Sequence, residues 1–470
     1  MKEGLKSMYL EKEQHLTDAK NMVNEEEKQK AQFIRMTTVP IEKLLLTLSI
    51  PTIISMMVTN IYNLVDTAFV GTLGTSESGA TGIVFAYMAI LQAIAFMCGQ
   101  GSGSIMSRKL GAKELKEATQ YASSGFFLSF TLGLIVAVFS LIYLEPLLYF
   151  LGSTKTIAPY AGTYIFYIIL SAPFFTASLT MNNLLRYEGK AKLGTVGLMT
   201  GAVLNICGDV LLIFVFRLGI AGAGIATAVS QFISFCILLS MFLRHKTQTR
   251  ISVKYIARDL RSFWNILATG FPSLLRQGLN SVASMMLNKA ASNYGDVAVA
   301  AMSIVSRISF FPMAVAIGIG QGFQPISSFN YGAGKKDRVR KAFRYALIGA
   351  EAVLTILSVP IFIFAGPLVK QLRNDPQVIE LGIRALRLMC VGHLFVPLSM
   401  MIEMGFQSIG QKLLASFASC LRSGLLFIPS LVILHSLRGL AGVQEAQPLS
   451  FVFTFIICLF FLKIYWKKVQ

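Results

Sequence analysis

The chain has 470 residues, 54% of them hydrophobic and only 14% charged, with a formal net charge of +19. An ordinary soluble domain carries about 25% charged residues, so the composition excludes that class and points to an integral membrane protein. In a soluble protein the positive excess would suggest a nucleic-acid partner. Here the basic loops lack interleaved aromatics, and membrane topology accounts for the charge instead.

Residues 1–35 contain seven Lys/Arg and seven Asp/Glu, so the whole excess belongs to the rest of the chain. This stretch has no apolar core of the kind a signal peptide needs. It is expected to be a polar extension, frayed or disordered by composition, in which MVNEEEKQKAQFIR could form a short surface helix.

Twelve apolar spans follow, at about 44–70, 80–106, 120–142, 158–182, 190–216, 218–243, 263–292, 297–323, 343–367, 383–408, 412–436 and 442–465. They are too long and too uniformly apolar for the alternating strands of a membrane barrel, which predicts an all-α membrane protein of twelve transmembrane helices. The loops after even-numbered spans (RKLGAKELK, RYEGKAK, RHKTQTRISVKYIARDLR, GKKDRVRKAFR and Lys412) carry twenty Lys and Arg. The loops after odd-numbered spans carry few, and 71–80 carries none. The positive-inside rule then places both termini and the even loops in the cytoplasm, as expected of a multi-pass protein of the cell inner membrane. Cys98, Cys207, Cys236, Cys390, Cys420 and Cys458 all lie in apolar runs without CxxC spacing and are expected to be small buried hydrophobes.

The two halves repeat. Ile50-Pro51 recurs as Phe271-Pro272, Gly99-Gln100-Gly101 as Gly320-Gln321-Gly322, Gly111-Ala112 as Gly332-Ala333 and Gly189 as Gly410, each at an offset of 221 residues. Six spans per half mean that both halves start from the same side, so they form parallel repeats about an axis along the membrane normal. The expected organisation is a polar cytoplasmic tail (1–40), a first six-helix bundle (41–243), a basic cytoplasmic linker (244–262) and a second six-helix bundle (263–465).

The embedded ionisable groups are the sharpest functional signal, because an ionised Asp at the bilayer centre costs roughly 2.5–3.5 kcal/mol on insertion scales. Asp66 lies about four residues from the outer end of span one, and Asp209 about seven from that of span five. Asn205 precedes Asp209 by one helical turn, so the two share a face. Span directions place Tyr164 of span four and Thr227 of span six in the same outer layer of the bilayer. Two carboxylates in one low-dielectric cavity can share and exchange a proton. The repeat offset carries Asp66 to Leu287, Asn205 to Leu426 and Asp209 to Ser430, so the acids belong to the first half alone.

Several motifs together resemble the multidrug and toxin extrusion (MATE) transporters, in the MepA-like bacterial branch. They are YNLVDTAFVG, GQGSGSIMSRKLGA and NNLLRYEGKAKLGTVGLMTGAVLNICGDVLLIF in the first half, and GFPSLLRQGLNS, GIGQGFQPISSFNYGAGK and GLAGVQEAQP in the second. The resemblance spans about residues 40–465. It implies two pseudo-symmetric six-helix bundles in a V around a central cleft. The implied activity is export of amphipathic organic cations by alternating access, coupled to H+. It also implies that Asp66, Asn205, Asp209, Tyr164 and Thr227 form the cation-coupling site.

Some branches of that family carry an acid early in span seven, where this chain has Arg276; that departure weakens a sodium site in the second half. A Na+-coupled variant stays open, since Asp66 and Asp209 could also hold Na+, as does a lipid-linked saccharide flippase of the same superfamily. A flippase should line its cleft with many cations, and only Arg276, Arg307 and Arg422 are embedded. Met57, Arg276, Asn280, Met286 and Glu403 are expected to line the substrate cleft. Met400-Met401 could add to its wall, and Glu403 could either meet a cationic substrate or pair with a neighbouring Arg. His393, without metal-like partners, is expected to be hydrogen-bonded and structural.

GAGKKD at 332–337 lacks the GxxxxGK[ST] spacing, so no ATPase site is present and an ion gradient is the expected energy source. No HExxH, Cys/His cluster or nucleophile elbow appears, which argues against an enzyme. No cofactor or resident metal is expected. The expected partners are small cationic molecules and the lipid bilayer, with no nucleic acid, and the protein is expected to be monomeric.

Overall fold

The computed structural model describes residues 26, 27 and 29–470. Among these the chain is helical throughout, with no strand. After a short helix α1 (29–38) come α2 (Ile41–Gly71), α3 (Thr75–Gly111), α4 (Leu115–Ile142), α5 (Leu144–Phe150), α6 (Ala158–Tyr187), α7 (Ala191–Asp209) and α8 (Gly219–Leu243). The second half contains α9 (Leu260–Ser292), α10 (Asp296–Gly332), α11 (Lys336–Ile363), α12 (Ala365–Leu372), α13 (Pro376–His393), α14 (Val396–Ser408), α15 (Lys412–Cys420), α16 (Phe427–Arg438) and α17 (Leu440–Lys468). The helices α4 and α11 begin and end at the repeat offset.

Each of the twelve expected spans is helical. Ten are long and apolar enough to cross a membrane. An eleventh is the pair α13 and α14, bent by 48° at Leu394-Phe395, where Pro397 starts the new helix at a position that needs no amide donor. The remaining one, α9, is a helix of 33 residues made less apolar by Arg276, Gln277, Asn280, Asn288 and Lys289. Two spans contain a wide π turn, at Val210–Val215 after α7 and Leu421–Leu425 after α15.

Within the first half α6 packs on α3, α4 and α8, and α7 on α2 and α8. Within the second, α10 packs on α11 and α13, α16 on α17 and α9 on α15. The halves meet where α3 crosses α9 and α10, and where α2 crosses α10. Glycine makes those crossings close. A Cβ on Gly101 would collide with the Ile266 carbonyl and Gly270, and its repeat partner Gly322 lies equally tightly on Ser49. Gly111 sits against the Phe329 carbonyl, while Gly332 sits against that of Arg108. The offset that carries Gly101 to Gly322 also carries Ser49 to Gly270, and Arg108 to Phe329. The seam is therefore the same contact made twice about a pseudo-two-fold axis. All these residues lie in the helix halves nearest the basic loops, hereafter the basic end.

Side chains reinforce the seam. Arg186 donates to the carbonyl oxygens of the Gln321 and Asn183 side chains. Arg108 Nη1 donates to the Ser408 carbonyl at 2.8 Å and to Ser104 Oγ at 3.0 Å. Gln407 Nε2 donates to Ser273 Oγ at 2.8 Å and accepts at Oε1 from Gln324.

The N-terminal extension departs from expectation. Residues 1–25 and 28 lie outside the described residues, but 29–38 form α1, which is docked rather than frayed. Met36 is fully buried. Phe33 packs on Phe329 at 5.8 Å, with Lys113 Nζ 4.8 Å from its ring. Gln32 Nε2 donates to the Glu188 carbonyl at 2.7 Å, and Arg338 Nη2 to that of Val39 at 2.6 Å. The apolar residues Phe33 and Met36 give a locally neutral sequence one face worth burying, which net composition did not convey. The cysteines also depart in part: Cys98, Cys390 and Cys458 are buried, but Cys207 and Cys236 are exposed on helix faces that no neighbouring helix covers.

The linker closes against the first half. Ser123 Oγ donates to the Arg250 carbonyl and Ser124 Oγ accepts from the Ala257 amide, both at 2.8 Å. Asp259 caps α9 by accepting from the Ser262 hydroxyl and amide, and these bonds hold its carboxyl below the ordinary carboxylate value.

Adding a methyl to the seam should therefore be costly. Gly332→Ala should lower stability in detergent by about 1–3 kcal/mol, the usual cost of overpacking. Gly278→Ala, with nothing within 4 Å of its Cβ, should be neutral or gain up to about 1 kcal/mol from helix propensity. Thermal unfolding of the two variants side by side checks this, and equal melting points would contradict the seam as described.

Candidate functional site

The five polar residues singled out in the first half come from four helices and meet in one place. Asp66 lies five residues before the end of α2, Tyr164 near the start of α6, Asn205 and Asp209 in the last turns of α7, and Thr227 in the first half of α8. All five are therefore at the end of the bundle away from the basic loops. Tyr164 Oη donates to both oxygens of Asp66, at 3.0 and 2.9 Å, and is within hydrogen-bonding reach of Thr227. Asn205 Nδ2 donates to Thr227 Oγ1 at 3.0 Å. Asp66 lies within electrostatic reach of Asp209.

The five residues are at most 3% exposed. An apolar cluster that includes Val70, Tyr87, Leu91, Ile165, Ile168 and Ile213 surrounds this end of the first half. Asp209 is fully buried, yet among the described residues neither of its carboxylate oxygens accepts a hydrogen bond, nor does Asn205 Oδ1. A charged carboxylate withdrawn from water requires a proton or a cation beside it. Asp209 is also the last residue before the π turn Val210–Val215, and such turns recur at functional sites because they re-aim the adjoining side chains. Among the described residues no group of three or more His, Cys, Asp or Glu side chains could hold a metal ion; the acceptors here are two carboxylates with amide and hydroxyl oxygens.

Sequence reasoning missed one member. Tyr62, buried, lies one turn before Asp66 on α2 and within electrostatic reach of both carboxylates. Its i, i+4 spacing from Asp66 was the signal that could have found it.

The second-half residues are distributed differently. Arg276 and Glu403 form a buried ion pair, Nη1 to Oε1 at 2.6 Å. Arg276 also donates to Gln100 Oε1 at 3.3 Å, across the seam. Of the two expected roles for Glu403, the structure thus gives it an arginine partner, with Arg422 also in electrostatic range. Asn280, one turn beyond Arg276, is exposed, so the two do not share one environment. Met57 and Met286 are half-buried. Met400 and Met401 are buried rather than on a cleft wall, because α14 is enclosed on every side. His393 Nδ1 lies 3.1 Å from Ser358 Oγ.

This arrangement belongs to a known class. The MatE family model matches residues 51–211 and again 272–433, beginning at Pro51 and at its repeat partner Pro272 and covering more than half of the chain. The chain belongs to the MatE family; it is an all-α, multi-pass membrane transporter with the MATE fold, and not an enzyme. It is MepA-like: it is 26% identical to the multidrug export protein MepA of Staphylococcus saprophyticus over 84% of this chain and 87% of the relative. Two solved structures share the fold at 24% identity, each with a TM-score of 0.87. One is a MATE protein in complex with MaL6, covering 92% of this chain and 98% of that one. The other is an outward-facing multidrug-resistance MATE transporter of the MOP superfamily, covering 93% and 98%.

The Arg276–Glu403 pair makes a sharp prediction. Glu403→Ala leaves a buried guanidinium without its counter-charge and should cost about 3–5 kcal/mol, whereas Arg276→Met with Glu403→Met removes both charges and should cost far less. Thermal unfolding of the single and double variants tests this; a double variant less stable than the single one would contradict it.

Proposed function

We propose that this transporter exports amphipathic organic cations from the cytoplasm in exchange for external protons, by alternating access between its two halves. The observation that carries the reading is the buried Asp209 carboxylate without a hydrogen-bond donor, held beside the Asp66–Tyr164 and Asn205–Thr227 pairs. In this reading Asp209 and Asp66 carry protons, Tyr164 and Asn205 hydrogen-bond the site, and Thr227 closes it. The excess of Lys and Arg at the basic end supports placing that end, and both termini, in the cytoplasm of a cell whose inner membrane the chain spans. In this reading, the seam closed at the basic end makes the described state an outward-facing one. The transporter works as a monomer without a cofactor.

Met57, Met286 and Asn280 supply adaptable and polar contacts to a cationic substrate, and the Arg276–Glu403 pair opens only if the substrate cation displaces Arg276. The name of the MepA relative, a multidrug export protein, supports this substrate class. A second reading, Na+ coupling, is favoured by one observation: the three unengaged oxygens at Asp209 and Asn205 are all acceptors. A saccharide flippase is disfavoured, because Arg276 is already paired with Glu403.

Ethidium efflux from proteoliposomes distinguishes these readings. Under an imposed pH gradient alone the wild type should drive efflux, and Asp209→Asn should fall to the level of protein-free liposomes. Efflux driven only by a sodium gradient would make the cluster a Na+ site, and undiminished efflux by Asp209→Asn would remove Asp209 from the coupling. Tyr164→Phe, which removes the hydroxyl that bonds both Asp66 oxygens and reaches Thr227, should slow efflux several-fold without abolishing it.

A further inference from the structure

We propose that the groove between α2 and α11 at the basic end binds the phosphate head group of an anionic phospholipid, which bridges the two halves. A pocket of about 460 Å³ lies there. Arg338, Lys341 and Arg344 face a single carboxylate, Glu42, so positive charge is in excess. Arg338 is already engaged by the Asn330 side chain and the Val39 carbonyl, and it contributes field rather than a free donor. Arg344 packs 5.5 Å over the Trp466 ring. Lys341 lies within electrostatic reach of Glu42, whose carboxylate is hydrogen-bonded by Tyr345, and among the described residues it makes no side-chain hydrogen bond that would fix its ammonium group. Lys341 and Arg344 are exposed, as is Tyr345 between them and the apolar surface.

Below the charges the groove turns apolar. Leu46, Ile50 and Ile54 recur every four residues on α2 and are exposed; Ile348 and Ile356 are exposed on α11. A basic, aromatic-edged head-group pocket that continues into two exposed aliphatic stripes matches a phospholipid rather than a soluble phosphate.

The repeat provides an internal comparison. The offset carries Arg338, Lys341, Arg344 and Tyr345 to Glu117, Gln120, Ser123 and Ser124, in the corresponding groove between α4 and α9. There the chain fills the groove itself, through the linker bonds from Ser123 to the Arg250 carbonyl and from the Ala257 amide to Ser124. The α4 side lacks all three basic side chains and is covered by linker backbone; its twin is basic and open. The twin's different residues are what an external anionic occupant would require.

Native mass spectrometry of the full chain in neutral detergent tests the site, with phosphatidylglycerol or phosphatidylcholine added. The wild type should retain phosphatidylglycerol preferentially, and each charge removed in Lys341→Ala and Arg344→Gln should lower that preference about five-fold. Lys341→Arg should keep it. Glu42→Gln should increase it, a gain that misfolding cannot produce. Equal retention of the two lipids by the wild type, or an undiminished preference in the double variant, would overturn the proposal. So would displacement of phosphatidylglycerol by millimolar inorganic phosphate, which would make the ligand a free anion instead of a lipid.

Discussion

The fold depends on one constraint: at the basic end two six-helix halves approach until backbone touches backbone. That approach is available only where side chains are absent, so Gly101, Gly111, Gly270, Gly322 and Gly332 decide where the halves cross. In a bilayer the lipid tails are as apolar as the helices, so helix association rests on close packing and hydrogen bonds rather than on hydrophobic burial. The seam supplies both, with Arg108, Arg186, Gln324 and Gln407 bonding across or beside it. Because the contact is made twice about a pseudo-two-fold axis, it can open as a unit, which suits rocking of one repeat against the other.

Against that symmetric scaffold the chemistry is one-sided. The repeat keeps the glycines and discards the acids, so a buried carboxylate cluster occupies the far end of the first half only. The cost of burying Asp66 is offset by Tyr164, whereas Asp209 has no such donor. The site thus holds one carboxylate with a hydrogen-bond donor and one without. The π turn next to Asp209 adds a local element able to shift. In the second half, charge takes another form, a buried Arg276–Glu403 pair that also touches Gln100 across the seam. Any opening of the halves must break or stretch the Arg276–Gln100 bond, which links the centre of the molecule to the closed end.

Much of this could be read directly from the residues. Long apolar runs can only be helices in a membrane, because every backbone group must find its partner within the segment. A fixed offset of 221 residues requires two copies of one fold. An ionisable side chain in such a run needs a partner, which drew attention to Asp66 and Asp209, and helix direction then placed Tyr164, Asn205 and Thr227 at the same depth. Tyr62 was within reach of the same reasoning, one turn from Asp66.

What the sequence determined by itself, then, was the membrane class, the helix positions, the duplication and the depth of the polar residues, all of which follow from local periodicity and spacing. The tertiary structure alone decided which groups meet. Depth does not specify which face of a helix looks at which neighbour, so Glu403 could not be assigned to Arg276 until α9 and α14 were packed together. Composition averaged over a segment likewise hid α1, whose docking depends on Phe33 and Met36 finding Phe329 and Gly189 some 150 to 300 residues away in the chain. The contact of Phe33 with Phe329 crosses the seam between the halves, and that seam exists only once both copies of the repeat have folded.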